Sequence, residues 1–291
     1  MRCCNSCPYN QTTASQPYRN CHHHSRQEHP GRSPLINNDS YRSLGNTSLK
    51  VSPIGLGTVK FGRTTGLRYP TDFDLPEENS LADLLFLAKD LGINFIDTAP
   101  AYGISESRLG KLLKPTRDHW CLCTKVGEYH QDGVSHYDFT SNSTRNSVEL
   151  SLRRLQTDVL DLVLVHSDGS DQHIIEETDV LPTLVKLKEA GLIRYIGFSG
   201  KNVTGSLLAL ELVDVFMIAL NESDQTQAEL IKAATRHNKG VVIKKAFDSG
   251  HAKDPGRSLN FAANFPGVSS VIVGTINPSH LRENVESLFS T

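Results

Sequence analysis

Eight short apolar runs recur along the chain from Val51 onward, and longer amphipathic stretches separate them. They are VSPIGLG (51–57), INFID (93–97), WCLCTK (120–125), VLDLVLVH (159–166), IRYIGFS (193–199), VDVFMIAL (213–220), GVVIKKAF (240–247) and VSSVIVG (268–274). Such near-continuous apolar character marks parallel strands covered on both faces. The stretches between them read as helices. In LADLLFLAKDLG, Leu81, Leu84, Leu85, Ala88 and Leu91 share one face and Gly92 supplies a stop. LPTLVKLKEAG, SVELSLRRLQ, AELIKAATRH and HLRENVESLF repeat the period, and Asn277-Pro278 is a good cap and first-turn pair for the last of them. Strand and helix alternating to eight predict a (β/α)8 TIM barrel. An open doubly wound sheet would carry GxGxxG after its first strand, and GLGTVKFG is not that motif. Residues 46–291 number 246, close to the ~250 typical of the barrel. A short hairpin turning at Gly45-Asn46 is expected ahead of the first barrel strand.

Residues 1–40 are a different kind of sequence. They are rich in Ser, Asn, Gln, Pro and His without helical or strand period, so a disordered N-terminal extension is expected there and the barrel domain over 41–291. Cys3, Cys4, Cys7, Cys21 and His22 to His24 are donors that zinc accepts, but no folded frame presents them, and no metal site is assigned. Cys121 and Cys123 are expected as buried apolar residues on opposite faces of their strand. The net charge of −2 argues against a nucleic-acid binder. No run of 18 apolar residues suits a membrane span. The first twenty residues lack the apolar centre of a secretory signal, so a cytoplasmic location without disulfides is expected. Nothing indicates an obligate protein partner.

In a barrel the chemistry gathers at the C-terminal ends of the strands. There Asp97, Lys125, His166 and Ser199 close their runs, and Tyr102 follows Asp97 by five residues. A tyrosine is a poor acid near neutrality, with an ordinary pKa of about 10. The Lys125 ammonium is expected to draw that value down, with Asp97 orienting the lysine and His166 offering a hydrogen bond to a substrate oxygen. The barrel carries neither a metal-ligand pattern nor a nucleophile elbow. A group of this kind polarising a carbonyl needs an electron source, which implies a hydride-donating cofactor.

The segment GINFIDTAPAYGISESRLG (92–110) resembles the signature of the aldo-keto reductase superfamily. So do CTKVG, LVLVH, GFSG and the closing SSVIVGTINPSHLREN, in the family's order from about Leu44 to the C-terminus. The resemblance implies an NAD(P)H-dependent oxidoreductase acting on a small carbonyl or alcohol substrate by direct hydride transfer, with NADPH the favoured cofactor and NADH the alternative. Tyr102 would be the general acid, Lys125 and Asp97 the pair that tunes it, and His166 the residue that orients the carbonyl. Cofactor contacts would come from Gly57 and Thr58, from Ser199 at the carboxamide, and from Phe247, Ser249 and Gly250 on the pyrophosphate side. Gly274, Thr275, His280, Glu283 and Asn284 would follow beyond the last strand, the last two at the adenine. The chain departs from the family at Gly200, where Asn is usual, and at Met217 and Leu220, where a carboxamide-binding Gln and a stacking ring are frequent. Gly274 and His280 stand where NADPH-preferring members often carry Lys and Arg.

Lys245 is read as a solvated lysine that could add charge, and Phe61, Tyr69 and Tyr129 as candidate pocket walls. The brief 251–256 segment and the end of the chain at Thr291 imply an open pocket and lightly buried cofactor. Two other readings fit: an NAD-dependent sugar or polyol dehydrogenase, favoured by the missing Lys/Arg pair, and a non-catalytic nicotinamide-binding regulatory subunit. The complete Tyr/Lys/His/Asp set argues against the second.

Overall fold

The computed structural model describes residues 35–289. The cysteines and histidines between Cys3 and His24 lie outside them. In chain order the strands are β1 (Arg42–Ser43), β2 (Lys50–Val51), β3 (Ile54–Gly57), β4 (Phe95–Asp97), β5 (Cys121–Val126) and β6 (Glu128–Gln131). They continue as β7 (Val134–Tyr137), β8 (Leu160–His166), β9 (Ile193–Ser199), β10 (Val215–Ala219), β11 (Gly240–Lys244) and β12 (Ser270–Val273). The helices are α1 (Glu78–Asp90), α2 (Ser105–Leu113), α3 (Ser141–Leu155), α4 (Asp171–Glu177), α5 (Val180–Glu189), α6 (Val203–Leu208), α7 (Ala228–Arg236), α8 (Pro255–Ala263) and α9 (Pro278–Phe289). No described helix is long and apolar enough to cross a membrane.

β3, β4, β5, β8, β9, β10, β11 and β12 close into a parallel barrel in that order, with β12 paired back to β3. Each falls within one of the eight apolar runs or overlaps it by all but one residue. Side chains alternate across a strand, so two layers of core arise from one set of strands. Outward residues such as Leu56, Ile96, Leu122, Val163 and Val271 join the apolar faces of the helices in the larger cluster. Inward residues Phe95, Cys121, Cys123, Leu162, Leu164, Val215, Met217 and Val242 fill the barrel itself. Cys121 and Cys123 therefore share the inner face, not opposite ones, because residues two apart on a strand point the same way.

The β1–β2 hairpin pairs antiparallel and closes the lower end of the barrel with Leu44, Leu49 and Val51. Its turn needs Gly45, which has φ +59 and lies so near the backbone of Gly240 that a β-carbon would collide with it. Ile36 is buried in the outer core and Tyr41 Oη donates to Gly92 O at 3.0 Å, so packing reaches back ahead of residue 41.

Asp161 ties the lower ends of three strands together. Its buried carboxylate accepts from Arg117 Nη2 at 2.8 Å and Leu122 N at 2.9 Å, and pairs with Arg194 at 3.3 Å. Removing it would leave the Arg117 charge without its carboxylate and the Leu122 N–H without an acceptor. Asp161→Ala should cost about 3 kcal/mol of stability, the usual penalty for breaking a buried pair. Equilibrium urea unfolding beside the wild type measures it.

Candidate active site

The same alternation that fills the barrel selects what stands in its upper mouth. Two residues beyond the inner core residues Phe95, Cys123, Leu164 and Val242 come Asp97, Lys125, His166 and Lys244. By the same step Gly197 leads to Ser199, Met217 to Ala219, Ile272 to Gly274 and Gly55 to Gly57. Five of these eight rim positions carry polar side chains, and the other three are Gly or Ala.

Lys125 is 1% exposed. Its Nζ donates to Asp97 Oδ1 at 2.5 Å, to Thr98 O at 2.8 Å and to Tyr102 Oη at 3.3 Å. Tyr102 sits in a 3-10 turn (Pro100–Tyr102) just past β4, with its hydroxyl 3.5 Å from Asp97 Oδ2. Thr58 fastens the neighbouring strand ends, giving N–H and hydroxyl to Asp97 O at 3.0 and 2.9 Å. Burial pushes Lys125 toward the neutral amine, but Asp97, with Tyr102 and Cys123, more than offsets it and the lysine is held well above its usual range. For Tyr102 the balance differs from the sequence expectation. Burial raises the phenol, Lys125 opposes this, and burial prevails, so the hydroxyl keeps its proton across the neutral range.

His166 closes β8 with Nδ1 2.7 Å from Oε2 of Glu128, a close contact lying off the line of an ideal hydrogen bond. Burial lowers the imidazole's pKa, and Glu128 counters it in part. Burial would raise the Glu128 carboxyl, but His166, Ser135 and Arg63 together bring it down to about 2. Glu128 was not anticipated. It stands on a small antiparallel hairpin, β6 and β7, that turns through Asp132 (φ 51) and Gly133 (φ 81). The signal was the Asp-Gly pair in EYHQDGVSHY, a favoured hairpin turn. Tyr129, on the same hairpin, is exposed and stacks on His136 at 5.1 Å. Phe61 is fully buried in the outer core, so it packs beneath the loop and does not wall a pocket.

Of the residues expected at a cofactor, Gly57 and Thr58 lie beside Asp97, and the others are on β9 and beyond β11 and β12. Ser199 Oγ accepts from Lys244 Nζ at 2.8 Å, and Gly200 O accepts from the same ammonium at 3.3 Å. Gly200 stands beside a buried carboxylate: Asp171 Oδ2 accepts from Lys201 N, Asn202 N and Ser206 Oγ at 2.8 to 3.0 Å, and its other oxygen from Ser167 Oγ. A β-carbon at residue 200 would run into Ser206 Oγ and Asp171 Oδ2, which explains why no Asn occupies it. Lys245 has φ +60 and is exposed; the lysine that enters the mouth is Lys244.

Phe247 is partly buried beyond β11, and Ser249 (φ 57) and Gly250 (φ 96) complete the turn there. The long loop after β3 reaches this turn. Pro70 and Tyr69 lie against Gly250, Arg68 O is 3.2 Å from His251 Nε2, and Lys60 Nζ sits 4.0 Å from the Tyr69 ring centre. Tyr69 Oη would stand 3.1 Å from a β-carbon on Gly274. Thr275 Oγ1 accepts from Asn277 N at 3.0 Å, and Asn277 Oδ1 from Ser279 N at 2.9 Å, which sets the start of α9. On that helix His280 and Glu283 are exposed and Asn284 is buried. Among the described residues no group of three or more His, Cys, Asp and Glu could hold a metal ion.

A sequence model of the Aldo/keto reductase family matches residues 53–257. A solved structure described as an aldo-keto reductase from Pseudomonas aeruginosa is 50% identical with a TM-score of 0.81, covering 89% of this chain and 96% of that one. L-galactose dehydrogenase of Arabidopsis thaliana is 30% identical over 85% of this chain and 87% of its own length. D-arabinose 1-dehydrogenase of Saccharomyces cerevisiae is 36% identical over 52% of this chain and 43% of its own.

The Glu128 carboxyl titrates lower in the folded chain than in an unfolded one, at about 2 against an ordinary value of about 4.3. Its contribution to stability is therefore complete above pH ~4.3 and lost as the pH falls toward 2. Glu128→Gln should lack that component, so its stability should fall less steeply over this window. Urea midpoints of both proteins across the acid range check it.

Proposed function

The chain belongs to the aldo/keto reductase family and is an oxidoreductase, and we propose that it reduces an aldehyde or ketone to an alcohol with NAD(P)H, using Tyr102 as the general acid. The observation that carries this reading is the buried Lys125–Asp97 pair bridging to the Tyr102 hydroxyl. The mouth also suits a nicotinamide nucleotide. Gly57, Gly274 and Ala219 put little side chain of their own into the mouth beside Ser199 and Lys244, and Tyr69 Oη comes up to Gly274. Gly57, Thr58, Ser199, Phe247, Ser249, Gly250, Gly274, Thr275, His280, Glu283 and Asn284 are the residues proposed to hold the nucleotide. When bound, the reduced nicotinamide supplies the hydride.

Tyr102 then gives its proton to the carbonyl oxygen as negative charge develops there. Burial keeps that proton in place until it is needed, so the acid is loaded at neutral pH. Once the proton leaves, the phenolate stands 3.3 Å from the Lys125 ammonium, which stabilises it. Asp97 keeps Lys125 charged and directed. Among the described residues His166 Nε2 has no hydrogen-bond partner, and with Glu128 against Nδ1 it is available to a substrate oxygen. Solvent reprotonates Tyr102 after product leaves.

The substrate class has a second reading. Two relatives are named as dehydrogenases of sugars, L-galactose and D-arabinose, and the exposed His280 offers no Lys/Arg clamp for a 2′-phosphate. An NAD-dependent sugar dehydrogenase would need Tyr102 deprotonated to accept the alcohol proton, and burial of the phenol opposes that at neutral pH. A protonated Tyr102 is the form from which reduction starts. Tyr102→Phe should lower kcat for aldehyde reduction by ~10²–10⁴ while nucleotide affinity stays near the wild-type value. Steady-state rates with a reactive aldehyde, beside fluorescence titration with NADPH and NADH, decide it; wild-type turnover in the variant would remove Tyr102 from the role.

A further inference from the structure

Among the described residues Lys244, in the barrel mouth, has no carboxylate partner. β11 lies four strands from β5 in the closed ring, so Lys244 enters across the mouth from Lys125. Lys125 has Asp97 at 2.5 Å, whereas the acceptors of Lys244 are two neutral oxygens, Ser199 Oγ and Gly200 O. An ammonium has three N–H groups, and the third has no acceptor among the described residues. The charged groups facing it are Lys125 from β5, His166 from β8, Lys201 beyond β9, Lys245 beside it and Asp171 from α4. Only Asp171 favours the ammonium. Burial, followed by the neighbouring lysines, brings Lys244 down to about 7.

Oxidised and reduced nicotinamide share a carboxamide and nearly a shape, and differ by one positive charge on the ring. Hydrogen bonds to the carboxamide cannot tell the two apart, but a fixed cation can, by repelling one of them. We propose that Lys244 selects the redox state of the bound nucleotide, its ammonium disfavouring the oxidised ring while its free N–H serves the carboxamide of either form. This rests on the nucleotide-binding reading above. An enzyme so built takes up reduced cofactor and releases the oxidised product readily, which suits a reductase. The selection depends on pH. Below about 7 the ammonium is present and discrimination is strongest, and as pH rises through that value the amine becomes neutral and discrimination fades. By linkage, the oxidised nucleotide should expel a proton from Lys244 on binding near pH 7, and the reduced one should not.

Titration of the full chain with NADP+ and NADPH, and with NAD+ and NADH, tests this from pH 6 to 9. Fluorescence gives the affinities, and calorimetry in two buffers of different ionisation heat counts the protons released. The wild type should bind the reduced form about tenfold or more tightly at pH 6, with the ratio shrinking by pH 9. Lys244→Met should bring the two affinities together at every pH and abolish the proton release. Lys244→Arg keeps a charge that does not titrate in this range, so it should hold the preference at pH 9 as well. Lys245→Asn removes the largest of the repelling charges on Lys244, so it should keep the preference for the reduced form and carry it to a higher pH than the wild type does. An unchanged ratio in Lys244→Met, or equal loss of both forms, would overturn the selector role while leaving the oxidoreductase reading intact. Failure of the wild type to bind any of the four nucleotides would overturn that earlier reading, and this one with it.

Discussion

A closed parallel barrel forces every second residue of eight strands into one shared interior. There is no free edge, so register and facing are settled for all strands at once. The lower interior is apolar, from Phe95 and Cys121 to Val242, and it is plugged by Leu44, Leu49 and Val51 of the β1–β2 hairpin. One further step along each strand leaves that packed layer and arrives at the mouth. Asp97, Lys125, His166, Ser199 and Lys244 are brought together by this count of two, although 147 residues separate the first from the last. The hydrophobic filling below and the polar layer above are products of the same geometry.

Within that layer, burial sets the terms for each charged group. Lys125 remains an ammonium because Asp97 accompanies it out of water; alone it would lose its proton. Tyr102 has only part of that benefit, so it holds its proton. His166 sits against Glu128, and Lys244 against neutral oxygens alone. The two lysines of this small space thus differ in protonation through their partners and not through their type. That spread is what lets one mouth hold both an acid that keeps its proton and a lysine poised near neutrality.

Strand positions were legible because short apolar runs alternating with amphipathic stretches suit strands covered on both faces. The Gly45-Asn46 turn was legible because few residues accept its backbone angles. Asp97, Lys125 and His166 could be placed at strand ends by reading each run to its polar close. Lys244 escaped that reading: KKAF continues past the strand, and the choice between two adjacent lysines depends on where pairing stops. Glu128 escaped because its partner, His166, lies 38 residues away and a four-residue strand carries little periodic signal. Gly200 read as a missing side chain, when the space beside it is already taken by Ser206 and Asp171.

By itself, the sequence determined the order of strands and helices, the apolar interior and the residue types available at each strand end, since these follow from periodicity and local backbone preference. Tertiary structure alone decided which of two lysines faces inward, which carboxylate meets His166, and that burial outweighs Lys125 at Tyr102. Those outcomes depend on distances between groups remote in the chain and on how much water each retains, and neither quantity exists until the barrel has closed.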